Sequence, residues 1–526
     1  MTLHLVSDSA ADAVKKDLEN DFGLLPALIA ATAHDAPDRL ALIQDERSLT
    51  YQALNRAMDR VAATLQRDGI APRTAIAVCA TTSIEYATLF LGALRAGIAV
   101  SPLAPSSTAE QLAGMVADCG ATHLFLDAST VDSLKSAGGF SIRHIALDDS
   151  AAGEKFSEWL APEGQQPAPV EIAPADPFNI IYSSGTTGVP KGIVQSHKMR
   201  WMHVRRADAF GYNTEARTLI STPLYSNTTL VSFFPTLAGG GTVILMAKFD
   251  AHRYLEIAQK HRVTHTMLVP VQYRRIMALP DFDKFDLSSY RMKFCTSAPF
   301  DASLKADILK RWPGGLVEYY GMTEGGGSCA LVAHEFPDKL DTVGRPSEGH
   351  EIKLIDDEGR EVAPGEIGEI VGHSPAIMNG YHNQPGKTAE AQWRAPDGRI
   401  FMRTGDVGRF DADGFLRLMD RKKDMIISGG FNIYPSDLEA VLANDPAVSE
   451  AAVVGVASEQ WGETPVAFVV RKPGDSTDAE ALRDRVNSGL GKTQRLADVR
   501  IVEVLPRSAI GKVLKRELRD AYGARD

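Results

Sequence analysis

The chain has 526 residues, 44% of them hydrophobic and 23% charged, which is typical of a folded protein that is too long for a single compact core. Its 67 acidic residues outnumber its 56 Lys and Arg residues and give a net charge of −11, which argues against a nucleic-acid partner and against attraction to an anionic membrane. We therefore expect at least two domains, with any anionic ligand bound at a local site.

The sequence carries no pattern typical of secretion or membrane insertion. The N-terminal residues contain Asp8 and no basic lead into a long apolar run. The most apolar stretch, 86–102, is interrupted by Arg95 and is too short to span a bilayer. Four cysteines lie too far apart to indicate a metal site or a disulfide framework: Cys79, Cys119, Cys295 and Cys329. We expect a cytoplasmic protein with no integral membrane segment, and the sequence leaves its oligomeric state open.

Helices and strands alternate through the first part of the chain. Apolar residues at helical spacing from Leu54 to Leu65 predict a helix that ends before Gly69. The same reasoning predicts a helix over 83–96 and strands over 74–80, 98–103, 242–246 and 264–269. Such alternation is typical of parallel βαβ layers. A polar, proline-rich stretch over 148–177 predicts a surface connection.

The pattern changes near residue 420. Strands are predicted near 448–456, 464–471 and 498–504, and a helix near 478–490. The charged cluster “DRKKD” at 420–424 is the natural joint. We therefore predict an α/β protein with a large N-terminal domain, 1–420, of βαβ-layered sheets and a small α+β C-terminal domain, 421–526, joined by a hinge.

The stretch “YSSGTTGVPKG” at 182–192 has the composition of a phosphate-binding loop. Glycines permit turns whose backbone N–H groups converge on an anion, the Ser and Thr hydroxyls add donors, and Lys191 adds charge. It is not a Walker A loop, because Pro190 occupies the place of the second glycine and Gly192 follows the lysine. Strand-like residues on both sides favour an ordered loop over a flexible one.

This loop resembles the phosphate-binding signature of the adenylate-forming superfamily, which includes acyl-CoA synthetases, carrier-protein adenylation domains and beetle luciferases. Four further stretches resemble the other motifs of that superfamily, in the same order along the chain: “YYGMTEGG” (319–326), “RTGD” (403–406), “DRKKDMIISGGFNIYPSDLEAVL” (420–442) and “PRSAIGKVLKREL” (506–518). Five matches in order are specific, and they favour the branch of acyl-CoA synthetases and aryl-CoA ligases.

The resemblance implies a site for ATP and Mg²⁺. It implies that Thr323 contacts phosphate and that Glu324 binds the Mg²⁺ carried by ATP. Lys191 is predicted to act with them by sharing the charge of the phosphates. A single carboxylate suits an ion whose other ligands are phosphate and water. The other nucleotide contacts that it implies are Ser183, Ser184, Gly185, Thr186, Thr187 and Gly188 in the loop, Ser297, Ala298 and Pro299 lining the adenine slot, Tyr320 stacking on the adenine, Gly321 and Met322 in the second motif, and Asp406 and Arg421 toward the ribose.

The resemblance also implies two arrangements of the small domain. In the first, Lys512 reaches the substrate carboxylate and the ATP oxygens, where a fixed cation lowers the barrier to adenylation. The second would admit coenzyme A past Gly429 and Gly430 after rotation about a hinge at Lys423.

Other charged residues in these motifs are predicted to be structural. We expect Lys515 and Arg516 to be solvated helix cations, and Glu439 to form a capping box with Ser436. His261 and His265 lack a nearby acid that would complete a zinc site, so we assign them a structural role as well.

The acyl pocket implied by the resemblance contains Tyr225, Ser226 and Asn227, together with Gly325 and Gly326. No acid occurs from residue 218 to residue 237, which argues against an amino-acid substrate because its ammonium group would be buried unpaired. Many relatives in this superfamily have His after the aromatic residue, and Ser226 here implies a wider or more polar pocket.

The sequence therefore predicts an acyl-CoA synthetase that uses ATP, Mg²⁺ and coenzyme A. Its substrate would be a medium or large apolar carboxylate, either a fatty acid or an aryl acid such as a hydroxycinnamate, activated through acyl-AMP. Two alternatives stay open: an acyl-AMP ligase that loads a separate carrier protein, and a nucleotide-binding regulator without catalysis.

Overall fold

The computed structural model describes residues 20–131, 142–183, 190–205, 208–421, 424–428, 431–458, 461–490, 494–508 and 511–523, together with Leu18 and Leu134. The chain divides into two compact units. The first extends to Leu340 and includes Ser347–Glu351 and His373–Met402. The second contains Asp341–Pro346, Ile352–Gly372 and the residues from Arg403 onward.

Two sheets form the framework of the first unit. In one sheet, adjacent strands follow the order Cys329–Val332, Gly315–Tyr320, Met292–Cys295, His265–Leu268, Arg217–Ile220, Thr242–Leu245, Leu40–Gln44 and Arg47–Thr50. The six strands from Gly315–Tyr320 to Leu40–Gln44 pair in parallel, and the strand at each end of this series pairs antiparallel. Such a sheet presents the carboxyl ends of its parallel strands along one edge.

The second sheet of this unit carries the predicted phosphate-loop hairpin. Its strands follow the order Gly380–Tyr381, Lys191–Ser196, Pro177–Ser183, Ala99–Pro102, Ala75–Cys79, His123–Leu126, Arg143–Ala146 and Glu154–Lys155. Pro177–Ser183 and Lys191–Ser196 form an antiparallel pair, and Gly380–Tyr381 pairs with Lys191–Ser196 on the other side.

Helices connect and cover these strands. The α-helices among the described residues of the first unit are Leu25–Asp35, Tyr51–Arg67, Ile84–Arg95, Ala109–Asp118, Phe156–Trp159, His197–Arg205, Asn227–Ala238, Ala251–Lys260, Pro270–Met277, Ala302–Arg311 and Pro385–Glu390. Short 3₁₀ turns occur at Ala128–Thr130, Asp208–Phe210 and Phe282–Lys284. Local sequence sets the start of two of these helices, since the hydroxyls of Thr50 and Ser83 accept hydrogen bonds from Ala53 N at 3.2 Å and Tyr86 N at 3.1 Å.

The main hydrophobic core joins both sheets through buried helices. Phe90 on a helix, Phe178 on the second sheet and Phe234 on another helix form an aromatic cluster with ring centroids 5.1–6.2 Å apart. Gly92 allows a close helix crossing, because a Cβ atom there would lie 2.5 Å from the Val61 Cβ. This packing fixes the strands whose ends carry the predicted site.

The second unit contains two sheets and three described helices. One sheet includes the strands Glu351–Ile355, Gly368–His373, Ile400–Phe410 and Leu416–Arg421. Glu351, His373 and the residues 400–402 at the ends of the first three strands belong to the first unit. In the first unit, Gln392–Arg394 pairs with the beginning of Ile400–Phe410. The other sheet follows the order Phe431–Ile433, Ile426–Ser428, Gly462–Arg471 and Val448–Ser458, and Asp498–Ile501 also pairs with Gly462–Arg471. The helices are Pro435–Ala443, Ala479–Ser488 and Lys515–Gly523.

The architecture confirms the predicted fold class, a large α/β part followed by a small α+β part. The predicted helix and strand positions agree with those of the structure to within a few residues. The predicted surface connection over 148–177 was wrong in its middle, where a short strand and helix bury Trp159, whose indole N–H donates to Asp68 at 2.8 Å. Within the described residues, no helix combines the length and apolar character needed to cross a bilayer.

Candidate active site

Three of the predicted site segments follow neighbouring or nearby strands of the first sheet at its carboxyl edge. The segments and their preceding strands are 321–326 after Gly315–Tyr320, 297–299 after Met292–Cys295, and 225–227 after Arg217–Ile220. The hydroxyls of Thr228 and Ser297 form a hydrogen bond at 2.5 Å, which joins the predicted acyl segment to the predicted adenine segment. The topology thus brings together residues that lie about a hundred positions apart in sequence.

The phosphate-loop motif spans the tip of an antiparallel hairpin. Ser183 is the register partner of Lys191, so the two strands begin to separate at the lysine. Gly192 permits this close pairing, because a Cβ atom there would lie 2.9 Å from the Ile180 side chain. The predicted phosphate contacts Ser184, Gly185, Thr186, Thr187 and Gly188 lie outside the described residues.

A tyrosine that the sequence did not single out connects the predicted metal ligand with the predicted phosphate lysine. The Tyr381 hydroxyl donates to Glu324 Oε1 at 2.8 Å, and Lys191 Nζ lies 5.0 Å from the centroid of the Tyr381 ring. The second contact is a cation–π interaction. Burial raises the pKa of Tyr381, and the neighbouring Glu324 carboxylate adds to the shift, so the phenol keeps its proton as a donor.

Backbone contacts fix the turn that carries Glu324. Met378 N donates to Glu324 O at 2.9 Å, and Gly326 N donates to Ala376 O at 2.9 Å. Gly325 has a φ of 73°, and a Cβ atom there would lie 2.1 Å from Ala376 O. Gly325 is therefore required by this close backbone approach, whatever its predicted contribution to the acyl pocket.

The carboxylate arrangement suits a metal ion that arrives with its nucleotide. In the described part of the chain, no group of three or more His, Cys, Asp or Glu side chains is arranged to hold a metal ion. Glu324 instead offers a single carboxylate whose orientation is fixed by a tyrosine hydroxyl. Mg²⁺ commonly uses one or two carboxylates and completes its shell with phosphate oxygens and water, so these residues fit Mg²⁺ bound to ATP.

The segments predicted to surround the adenine and the acyl group have distinct local structures. Ser297 has a φ of 84°, in the left-handed region, and Ala298 and Pro299 directly follow it outside any helix or strand. Ser226 is buried at the start of the helix Asn227–Ala238, and burial raises the pKa of Tyr225 to about 12. Asn227 Oδ1 is buried and has no hydrogen-bond partner within the described residues. That carbonyl is a candidate acceptor for a ligand.

The predicted nucleotide contacts at the start of the motif 319–326 differ in burial. Tyr320 is a buried residue of the strand Gly315–Tyr320 and is the register partner of Cys329. Gly321 is exposed beyond the strand, and Met322 packs against a buried cluster that includes Ile193. Exposure at Gly321 leaves its backbone accessible to a ligand.

In the second unit, the structure places Asp406 opposite Arg421. The two residues are register partners across an antiparallel strand pair, where Gly405 has a φ of 69°. The Thr404 hydroxyl accepts a hydrogen bond from Asp406 N at 3.0 Å and donates to Ile370 O at 2.9 Å. The side chain of Arg421, and Lys423, Gly429 and Gly430 as a whole, lie outside what the structure describes.

Hydrogen bonds with Ser508 hold the backbone of Lys512 within the second unit. Ser508 N donates to Lys512 O at 2.8 Å, and Lys512 N donates to the Ser508 hydroxyl at 3.2 Å. Arg507 links this part of the chain to the sheet, because its guanidinium donates to Gly511 O at 2.7 Å and to Glu450 at 2.6 Å. The backbone of the predicted catalytic lysine is therefore fixed within its own unit.

Two predictions for neighbouring residues were wrong. Ser436 donates to Met419 O rather than capping the helix Pro435–Ala443, whose start has no side-chain cap. Glu439 instead accepts from Val453 N at 2.8 Å and forms an ion pair with Lys515 at 2.9 Å. Lys515 is therefore an internal structural cation and not a solvated one, because tertiary partners outcompeted the local alternatives.

Comparison with known proteins adds independent information about these segments. The AMP-binding enzyme family matches residues 29–382, and the AMP-binding enzyme C-terminal domain matches residues 437–512. The chain is 32% identical over 498 residues to an indoleacetate–CoA ligase of Aromatoleum aromaticum, covering 92% of this chain and 95% of that protein. It is also 32% identical over 515 residues to the fatty acid–[acyl-carrier-protein] ligase ScoC of Streptomyces coeruleorubidus, covering 95% and 97%.

The similarity extends to solved structures. The chain resembles the crystal structure of ATP-bound MatB from Rhodopseudomonas palustris with a TM-score of 0.84 and 28% identity. That alignment covers 94% of this chain and 99% of the other.

Proposed function

This chain belongs to the AMP-binding enzyme family, and we propose that it activates an apolar carboxylic acid and transfers the acyl group to coenzyme A. It is an AMP-forming acid–thiol ligase that uses ATP, Mg²⁺ and coenzyme A. In the first half-reaction a carboxylate oxygen attacks the α-phosphorus of ATP and pyrophosphate leaves. In the second, the thiolate of coenzyme A attacks the acyl carbon and AMP leaves.

The observation that carries this proposal is the grouping of Lys191, Tyr381 and Glu324. A cation lies over the ring of Tyr381 and a carboxylate accepts from its hydroxyl, where the phosphate-motif hairpin opens. Lys191 would neutralise phosphate charge and Glu324 would bind the accompanying Mg²⁺. Fixed charges of this kind stabilise the charge that develops during adenylation.

The other roles follow the motif resemblance. Thr323 and the loop 183–188 would contact phosphates, the segments 297–299 and 320–322 would enclose the adenine, and Asp406 and Arg421 would contact the ribose. Lys512 would bring the substrate carboxylate and ATP together. A boundary at 420/421 with Lys423 as its hinge would then let the small domain rotate and open a path for coenzyme A past Gly429 and Gly430.

The acyl substrate is proposed to be medium-sized or large, and apolar. No acid occurs between residues 218 and 237 to pair with an ammonium group, and Ser226 replaces a bulkier imidazole. The similar proteins from Aromatoleum and Streptomyces are named for an aryl-acetic acid and a fatty acid respectively. The unpartnered Asn227 carbonyl favours, among aryl acids, those with a hydroxyl group that can donate to it.

Pyrophosphate exchange tests the first half-reaction. Labelled pyrophosphate should enter ATP only when a suitable carboxylate is present, and a panel of fatty, cinnamic and hydroxycinnamic acids should identify the class. No exchange with any apolar acid, alongside exchange with an amino acid, would overturn the proposed substrate. Absence of exchange with every acid would instead favour a nucleotide-binding regulator.

A carrier protein is the alternative acceptor, and the similarity to a fatty acid–[acyl-carrier-protein] ligase is the observation that favours it. Thioester formation should be compared with free coenzyme A and with a phosphopantetheinyl carrier protein at equal thiol concentration. Faster transfer to coenzyme A is the expected result. Transfer only to the carrier would replace the proposed acceptor and leave the adenylation step intact.

We also propose a cytoplasmic location. All four cysteines are buried and unbridged, which fits a reducing compartment.

A further inference from the structure

A line of buried hydrogen bonds connects the helix His197–Arg205 with the backbone of Thr323. Arg200 Nε donates to Asn179 Oδ1 at 2.9 Å, and Asn179 Nδ2 donates to Gln195 Oε1 at 2.9 Å. Gln195 Nε2 then donates to Thr323 O at 2.6 Å. None of the three side chains is more than 2% exposed. We call this chain of three side chains the Arg200 relay.

The direction of the relay is fixed by its two ends. A guanidinium group can only donate, and the Thr323 carbonyl can only accept. Asn179 must therefore turn its oxygen toward Arg200, and Gln195 must turn its oxygen toward Asn179. The two amides face each other as register partners across the hairpin, so both orientations are set by the strand pairing. Aligned hydrogen bonds of this kind polarise one another and strengthen the last one.

The relay begins at a buried guanidinium group, in surroundings where packing alone would favour an apolar side chain. Arg200 is buried beside the rings of Phe178 and Phe234, 5.9 and 5.7 Å from its guanidinium carbon, and burial lowers its pKa to about 9. Its Nη1 and Nη2 atoms have no hydrogen-bond partner among the described residues. A buried cation without a carboxylate is costly, and apolar replacements of such groups are often neutral or stabilising. Stability of the core therefore does not explain why an arginine occupies this position, and we look for its role at the other end of the relay.

That other end is the turn that carries the predicted phosphate and metal contacts. Gln195 holds the carbonyl of Thr323, while Met378 N holds the carbonyl of Glu324. Two successive peptide groups are thus fixed by partners from different parts of the chain. Their orientation sets the direction in which the Thr323 and Glu324 side chains leave the backbone.

We propose that Arg200, Asn179 and Gln195 are positioning residues for adenylation, which act by fixing the Thr323–Glu324 peptide relative to the bound nucleotide. This inference rests on the proposed function, because it assigns the turn to the binding of ATP and Mg²⁺. None of the three residues is proposed to touch the substrate. Their effect on the reaction passes through the Thr323 carbonyl.

The substitution Asn179→Asp separates this role from a purely structural one. The introduced carboxylate would pair with Arg200 and stabilise the buried cation, so the melting temperature should equal or exceed that of the wild type. A carboxylate has no proton to donate to Gln195, whose amide would turn to donate to it and place an oxygen against the Thr323 carbonyl. We expect kcat for pyrophosphate exchange to fall about 10- to 100-fold, the range for a small misplacement of reacting groups.

Gln195→Met provides a second variant of similar size. It removes the last hydrogen bond without adding charge, and kcat should fall by more than KM for ATP changes. The matched control is Tyr290→Phe in the same unit. It removes the buried Tyr290 hydroxyl, which forms a hydrogen bond of 2.9 Å with the Tyr254 hydroxyl. This control should lose a comparable amount of stability while retaining the wild-type kcat.

The outcomes distinguish the relay from the proposed function. If wild-type protein shows no carboxylate-dependent exchange, the proposed function fails first. If the wild type is active and a folded Asn179→Asp variant exchanges at the wild-type rate, the relay is overturned. Where Asn179→Asp does not fold, Gln195→Met decides, and a kcat equal to that of Tyr290→Phe overturns the relay.

Discussion

Replacing Tyr381 with Phe tests the grouping at the centre of the site. The change removes the hydroxyl that donates to Glu324 Oε1 at 2.8 Å and keeps the ring that faces Lys191. A hydrogen bond to a charged group contributes about 1.5–3 kcal/mol. Because Tyr381 is only half-buried, the lower value of about 1.5 kcal/mol applies, which corresponds to about a tenfold change in an equilibrium constant.

The assay is the Mg²⁺ dependence of pyrophosphate exchange at fixed ATP. The half-saturating Mg²⁺ concentration should rise about tenfold in Tyr381→Phe, because Glu324 loses the contact that orients its carboxylate. Tyr290→Phe is the control, since it removes a tyrosine hydroxyl of the same unit that hydrogen-bonds to the Tyr254 hydroxyl at 2.9 Å and lies outside the five motifs. An unchanged Mg²⁺ dependence, or an equal shift in the control, would contradict this role for Tyr381.

Three further predictions concern catalysis, backbone geometry and pH. Lys512→Ala should nearly abolish pyrophosphate exchange and largely spare thioester formation from supplied acyl-AMP; equal loss in both assays would show that the role is misassigned. Gly325→Ala should lower the melting temperature far more than Gly349→Ala. Both glycines have a positive φ, but only at Gly325 would the new Cβ atom lie against a backbone carbonyl, at 2.1 Å. Equal losses would argue against this close approach as the cause. Burial lowers the pKa of His265 to about 4, so as the pH falls the unfolded chain binds a proton near pH 6.5, whereas the folded chain binds it only near pH 4. The contribution of His265 to the free energy of unfolding should therefore be complete above pH 6.5 and fall by about 1.4 kcal/mol per pH unit down to pH 4. Urea unfolding at a series of pH values should show a smaller dependence of this free energy on pH in His265→Gln. An unchanged dependence would exclude His265 as its source.

The order of the motifs and the class of the fold follow from the amino-acid sequence alone. Helix and strand positions depend on periodicity within short windows, so the helix near Leu54–Leu65 and the C-terminal strands could be predicted from local patterns. The change of pattern near residue 420 and the five ordered motifs likewise required no contacts between distant residues. Family and activity class are therefore encoded in short stretches that can be read one at a time.

Which side chains meet depends instead on the tertiary structure. Tyr381 lies 57 residues from Glu324, and Gln195 lies 128 residues from Thr323, so no local pattern relates them. The capping box at Ser436 failed for the same reason, since a distant carbonyl competed successfully for its hydroxyl. Periodicity specifies the face of an element that is buried, whereas the partner on that face is chosen by strand order and packing, which involve the whole chain.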